Sequence, residues 1–224
     1  MVYKFFPNIK KDNRGLPLQA GITIVEVAVV VFLIAVFSLI LISDFPKILK
    51  QSALSSAVYK VSQDLRRTED LGLSGVQIKD GGSPPQQITT IRGYGFYVDV
   101  SNPPAKKYII YADVADQSGV SDKKYSGNST YPLCKNVDLN TLQNRTLYTD
   151  CVVEVIDVSK QNSSLYIDRV ENINGTHTSV NFSPPSPTID IDNLMQGSGI
   201  TIILSNGLSE RRIFVNTSGL INVE

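Results

Sequence analysis

The chain reads as an α+β protein: a long amino-terminal helix, its first half able to span a membrane and its second half amphipathic, packed on a mostly antiparallel β-sheet globular domain. Three observations predict this class. Residues 22–43 are apolar almost without interruption, residues 44–75 place apolar side chains at helical spacing, and from residue 88 onward short aromatic and β-branched runs alternate with turn residues.

The first element is Ile22 to Ser43. Its 22 residues reach roughly 33 Å as a helix, enough for the hydrocarbon core of a bilayer. Sixteen of these positions are Leu, Ile, Phe or Val; together they favour insertion by about 5 to 10 kcal/mol, against about 2.5 to 3.5 kcal/mol for a central acid. Glu26 sits near one end, where its cost is lower, so insertion wins. A secretory signal peptide is the rival, but its apolar core is commonly only about 7 to 15 residues. Lys4, Lys10, Lys11 and Arg14 precede the run against Asp12 alone. Positive flanks stay cytoplasmic, so the amino terminus is expected inside and residues from about Asp44 onward exported.

The second element, residues 44–75, carries Leu54, Ala57 or Val58, Val61, Leu65 and Thr68 on one stripe with charges between them, and is expected to end near Gly72 or Gly75. Pro46 lacks an N–H and should kink or locally open the helix. Residues 76–87, rich in Gly, Pro, Gln and Asp, mark a loop.

A β-rich globular domain is expected over residues 76–224. "ITTIRGYGFYVDV" and "KKYIIYADV" flank the turn signal "SNPP" and read as a hairpin; "LYTDCVVEVIDV" and "SSLYIDRV" read as two further strands. The tail supplies strands near 199–204, 211–215 and 220–223, with turns at Asn206-Gly207 and Ser218-Gly219.

Charge and composition narrow the chemistry. Lysine plus arginine number 21, aspartate plus glutamate 21, and the excess of base in the first residues leaves the rest mildly acidic. Nucleic-acid binding, which needs a basic surface, is not expected. His177 is the single histidine, lies among polar turn formers in "NGTHTS", and reads as a surface residue. With no recognisable nucleophile motif, an enzyme is not expected. Cys134 and Cys151 fall in the exported part, where a disulfide is permitted; two unlinked thiols are the alternative. Asp113, Asp116 and Asp122 surround Gly119 in "DVADQSGVSD", either as a solvated acidic turn or as oxygen ligands for a hard cation such as Ca²⁺, without the EF-hand spacing. The triplets beginning at Asn144 and Asn174 are glycosylation acceptors only in a host with that machinery.

Gly21, Ile22, Thr23, Ile24, Val25, Glu26 and Val27 resemble, position by position, the leader motif of type IV pilins and type II secretion pseudopilins: a glycine before the cut, an apolar first residue, often threonine second, and glutamate fifth. Where many members have proline as the twenty-second mature residue, this chain has Ser43, with Pro46 three residues later. The resemblance implies that residues 1–21 are a leader removed by a prepilin peptidase between Gly21 and Ile22, and that Ile22 is then N-methylated. It implies that Glu26 neutralises the amine of a neighbouring subunit's first residue, while Leu33, Phe37 and their neighbours pack stem against stem. The implied partners are the peptidase, other pilin or pseudopilin subunits and an inner-membrane assembly platform. The implied location is the cytoplasmic membrane, then an extracytoplasmic or cell-surface filament. "GYGFYVD" and "YIIYADV" are similar to the β regions of H-type minor pilins and pseudopilins. The competing expectation is a signal-anchored extracytoplasmic binding domain that does not polymerise.

Overall fold

The computed structural model describes residues 21–79, 91–115, 119–126, 133–134, 150–184 and 188–224. The leader expected before Gly21, most of the loop expected between 76 and 87, Asp116 and the Asn144 triplet lie outside the described residues, apart from Gly21 itself. The chain divides into two compact units, residues 1–46 and 47–224.

One helix, α1 (Ile24–Ser74), contributes to both units. It starts where Thr23 can cap it: the Glu26 amide donates to Thr23 Oγ1 (3.2 Å) and the Val27 amide to the Thr23 carbonyl (3.2 Å). It ends where Gly75 takes a φ of +60°, a left-handed conformation that glycine adopts without a Cβ clash. Pro46 lies inside α1 and cannot donate to the carbonyl of Ile42, and the boundary between the two units falls directly after it.

In the first unit the large apolar residues of α1, among them Ile24, Phe32, Leu33, Phe37 and Leu41, are exposed. In the second unit the pattern inverts. Leu54, Ala57, Val58, Val61 and Leu65 are buried, following the helical repeat, in one core with residues of the nine short strands found among the described residues.

The strands form two antiparallel sheets rather than one. β1 (Ile91–Asp99), β2 (Lys107–Val114), β3 (Cys151–Asp157), β5 (His177–Ser183) and β6 (Thr188–Ile191) make the first, in the order β3-β2-β1-β5-β6. β4 (Tyr166–Glu171), β7 (Gly199–Ser205), β8 (Glu210–Asn216) and β9 (Ile221–Val223) make the second, in the order β4-β7-β8-β9. The chain changes sheets after a single 3₁₀ turn, Val158–Lys160, capped by the Asp157 side chain. The expected hairpin, the two following strands and the three tail strands are present; β5 and β6 are additional. Phe96, Tyr108, Ile110, Val180 and Phe182 of the first sheet and Ile202, Leu204, Ile213 and Val215 of the second share the core with α1.

Polar contacts pin α1 to this core. Asp64, only 5% exposed, accepts from the Tyr108 hydroxyl and from Lys60 Nζ (3.1 Å), so a buried carboxylate is both paired and hydrogen-bonded. Asn206 Nδ2 donates to the Lys50 carbonyl (2.9 Å) and Arg67 pairs with Glu154 (2.9 Å). Gly72 lets the helix approach β5 so closely that an added Cβ would lie 2.4 Å from the Phe182 carbonyl oxygen.

Candidate functional site

Two places combine unusual chemistry with defined geometry. The first is the start of α1. Gly21 and Ile22 precede the helix and are exposed, Ile22 at 74%. Thr23 and Glu26 have the spacing of a capping box, in which the glutamate stands at the third helical position; the Thr23 half of that arrangement is made. An acid in the first turn also complements the helix dipole. The Glu26 carboxylate is thus placed at the helix start by spacing and dipole, while the bond made there is through its backbone amide, and among the described residues no lysine or arginine pairs with it. Downstream, α1 is long and apolar enough to cross a membrane, and none of its most apolar stretch is buried.

The second place lies on the face of the first sheet turned away from α1. Along β2, Tyr108 and Ile110 point into the shared core, so Ile109, Tyr111 and Asp113 point the other way. Across the sheet, β1 lies between β2 and β5, and opposite Tyr111 and Asp113 it carries Gly95 and Gly93. With no side chain on β1 to intervene, residues of β2 and β5 meet over it. Asn181 Nδ2 donates to Asp113 Oδ2 (2.9 Å) and lies 3.4 Å from the Tyr111 hydroxyl. A Cβ at Gly95 would lie 2.1 Å from the Tyr111 ring.

The segment 119–126 covers this face. Tyr125 packs on Tyr97 and Tyr111 (centroids 4.7 and 5.1 Å apart), and its amide donates to Ser179 Oγ (3.0 Å). Lys123 and Lys124 reach Asp190 (2.9 Å) and Asp192 (3.0 Å) on and just after β6. The segment is thereby held with Asp122 beside Asp113 and Asp150, one carboxylate oxygen of each lying within 4.8 Å of the other two.

Asp150, 1% exposed, is fixed by three segments at once. Its Oδ1 accepts from the Val114 amide (3.1 Å), its Oδ2 from the Ser126 amide (2.8 Å), and it adjoins Cys151 at the start of β3. Asp113 is fully buried; its Oδ2 accepts from Ser121 Oγ and Asn181, while its Oδ1, sealed from solvent, has no hydrogen-bond partner. Asp122 is half-buried and accepts from the Lys124 amide (3.1 Å). Burial, with the neighbouring carboxylates adding to it, pushes Asp150 up to about 8 and Asp113 up to about 6, although their hydrogen bonds pull the other way.

Of the acidic residues the sequence singled out, the structure joins Asp113 and Asp122 and adds Asp150, which carried no signal in the sequence beyond its place before Cys151. Cys134 and Cys151 form a disulfide, Cα atoms 4.8 Å apart. His177 is exposed, as expected, at the first position of β5, its ring 6.2 Å from that of Tyr97. No protein-family model matches the chain, and neither the curated proteins nor the solved structures include a significant match to it.

Proposed function

We propose that the chain is a structural subunit of a type IV pilus or type II secretion pseudopilus, of the minor, H-type kind. It would be cut between Gly21 and Ile22 by a prepilin peptidase and assembled through its apolar helix. The observation that carries this is the series of exposed Ile, Val, Leu and Phe side chains from Ile24 to Ile42, interrupted only by Glu26, Ala28, Ala35 and Ser38, on a helix that begins two residues after the Gly21-Ile22 junction and has Glu26 as its only acid over that span.

An apolar surface of this extent is not tolerated in water and must be covered. Lipid covers it before assembly, and the equivalent helices of neighbouring subunits cover it afterwards. In both settings an ionised Glu26 is costly alone and tolerable beside a cation. The amine that cleavage creates at Ile22 of a neighbour supplies one, and methylation leaves that amine positive.

Intact-mass measurement on protein purified from its native membranes tests this. The expected species begins at Ile22 and carries one methyl group. A species still beginning at Met1 overturns the proposal and leaves a signal-anchored extracytoplasmic domain that does not polymerise.

A further inference from the structure

Two buried carboxylates beside a third are relieved either by holding protons or by a cation bound among them. Asp113 is fully buried and Asp150 1% exposed, while Asp122 leaves the cluster open to solvent on one side. Like charges this close repel, and an unpaired buried charge is among the costliest groups a fold can contain. The nearest lysines act on it only from a distance, Lys123 favouring the charged form of Asp113 without pairing with it. Lys123 and Lys124 reach Asp190 and Asp192 instead, and among the described residues no lysine or arginine lies within ion-pair distance of the three.

A second observation, on one of the same three residues, points the same way. Buried polar atoms are almost always hydrogen-bonded, so Asp113 Oδ1, sealed and without a donor, demands an explanation, an ion among them. It shares a carbon with the oxygen held by Ser121 and Asn181, and so belongs to the cluster whichever of the two approaches Asp122 and Asp150 most closely.

We propose that Asp113, Asp122 and Asp150 form a binding site for a hard divalent cation, Ca²⁺ in preference to Mg²⁺. All three ligands are oxygens, the donors such ions take. Two oxygens on one ion stand no further apart than twice the metal–oxygen distance, about 5.2 Å for Ca²⁺ and about 4.2 Å for Mg²⁺. Oxygens within 4.8 Å of one another fall inside the Ca²⁺ span. The ligands come from the end of β2, the covering segment and the start of β3. A bound ion would therefore lock that segment onto the sheet beside the disulfide. Water entering past Asp122 would complete the coordination. This inference is independent of filament assembly and survives its failure.

The test uses the full chain in detergent, stripped with EDTA and dialysed. The chain has 10 tyrosines and no tryptophan, and Tyr111 lies beside the cluster, so bound Tb³⁺ should luminesce on tyrosine excitation. One Tb³⁺ per chain is expected, displaced by Ca²⁺ at about 0.1 to 1 mM, the range of extracellular Ca²⁺ modules, and only weakly by Mg²⁺. Ca²⁺ should also raise the melting temperature, as any ligand confined to the folded state does. Asp122→Asn, at the half-exposed corner, removes one of the repelling charges and should keep or raise the metal-free melting temperature while weakening Ca²⁺ binding about tenfold or more. Absence of saturable Tb³⁺ emission and of a Ca²⁺-dependent melting shift in the wild type overturns the proposal. So does an Asp122→Asn protein that binds Ca²⁺ as tightly as the wild type.

Discussion

Gly93 and Gly95 show how much of this site depends on what is missing from a residue. They bracket Tyr94, whose side chain lies on the other face, and together they clear a passage across β1 through which Asn181 reaches Asp113. Gly95→Ala puts a methyl 2.1 Å from the Tyr111 ring, which is fully buried and cannot retreat. Overpacking of this kind costs about 1 to 3 kcal/mol, so the variant's urea midpoint should fall by a corresponding amount with an unchanged slope. The buried acids make a second prediction. Asp113 is raised to about 6, chiefly by burial, from an unfolded value of about 3.9. Between those values the folded state holds more protons, and the contribution of Asp113 to stability, complete below the unfolded value, is lost as pH rises through the folded one. Asn at 113 mimics the protonated acid. In EDTA, Asp113→Asn should therefore gain stability relative to wild type between about pH 4 and pH 7; parallel melting curves across that range would refute the assignment. Turn composition in the sequence exposed Asp113 and Asp122. Asp150 was not legible, because nothing local distinguishes an acid before a strand from one that the fold returns to the end of β2.

At the scale of elements, legibility followed apolar periodicity. The helix stripe, the β1–β2 hairpin and the three tail strands all alternate in ways that sequence spacing reveals, and each is present. β5 and β6 were missed for a physical reason. β5 sits inside its sheet, yet its away-facing residues are Ser179, Asn181 and Ser183, buried polar groups satisfied by specific partners. A strand whose second face is covered by the 119–126 segment needs no apolar residue there, and without one it reads as loop. The two-sheet arrangement was equally hidden, since pairing order depends on contacts far apart in the chain. The helix stripe gives the clearest energetic test. Leu65 is fully buried among residues of α1 and the sheets, so Leu65→Ala removes both its burial and its packing. A loss of about 2 to 5 kcal/mol is expected in chemical denaturation of the full chain, whereas Leu33→Ala, on the exposed stretch, should leave the unfolding of residues 47–224 unchanged.

For the whole molecule, the open matter is why an acid stands at Glu26; the helix start offers one answer and the proposed filament assembly another, and the two predict different things. As half of a capping box, Glu26 would stabilise the start of α1, a role in which glutamine serves as well as glutamate. As the counter-charge to a neighbour's amine it must be ionised, and glutamine fails. Glu26→Gln therefore separates them where Glu26→Ala, which removes both functions, does not. Neither substitution should impair membrane insertion, because taking a carboxylate out of an apolar segment only favours transfer. Breaking a desolvated ion pair by removing one partner costs about 3 to 5 kcal/mol, and every 1.4 kcal/mol is about tenfold, so incorporation of Glu26→Gln into filaments should drop on the order of a hundredfold or more. The measurement compares the filament and membrane fractions from cells expressing each variant in place of the wild type. Equal filament content for Glu26→Gln and wild type, with a loss confined to Glu26→Ala, would assign Glu26 to the helix start and leave the amine without its partner.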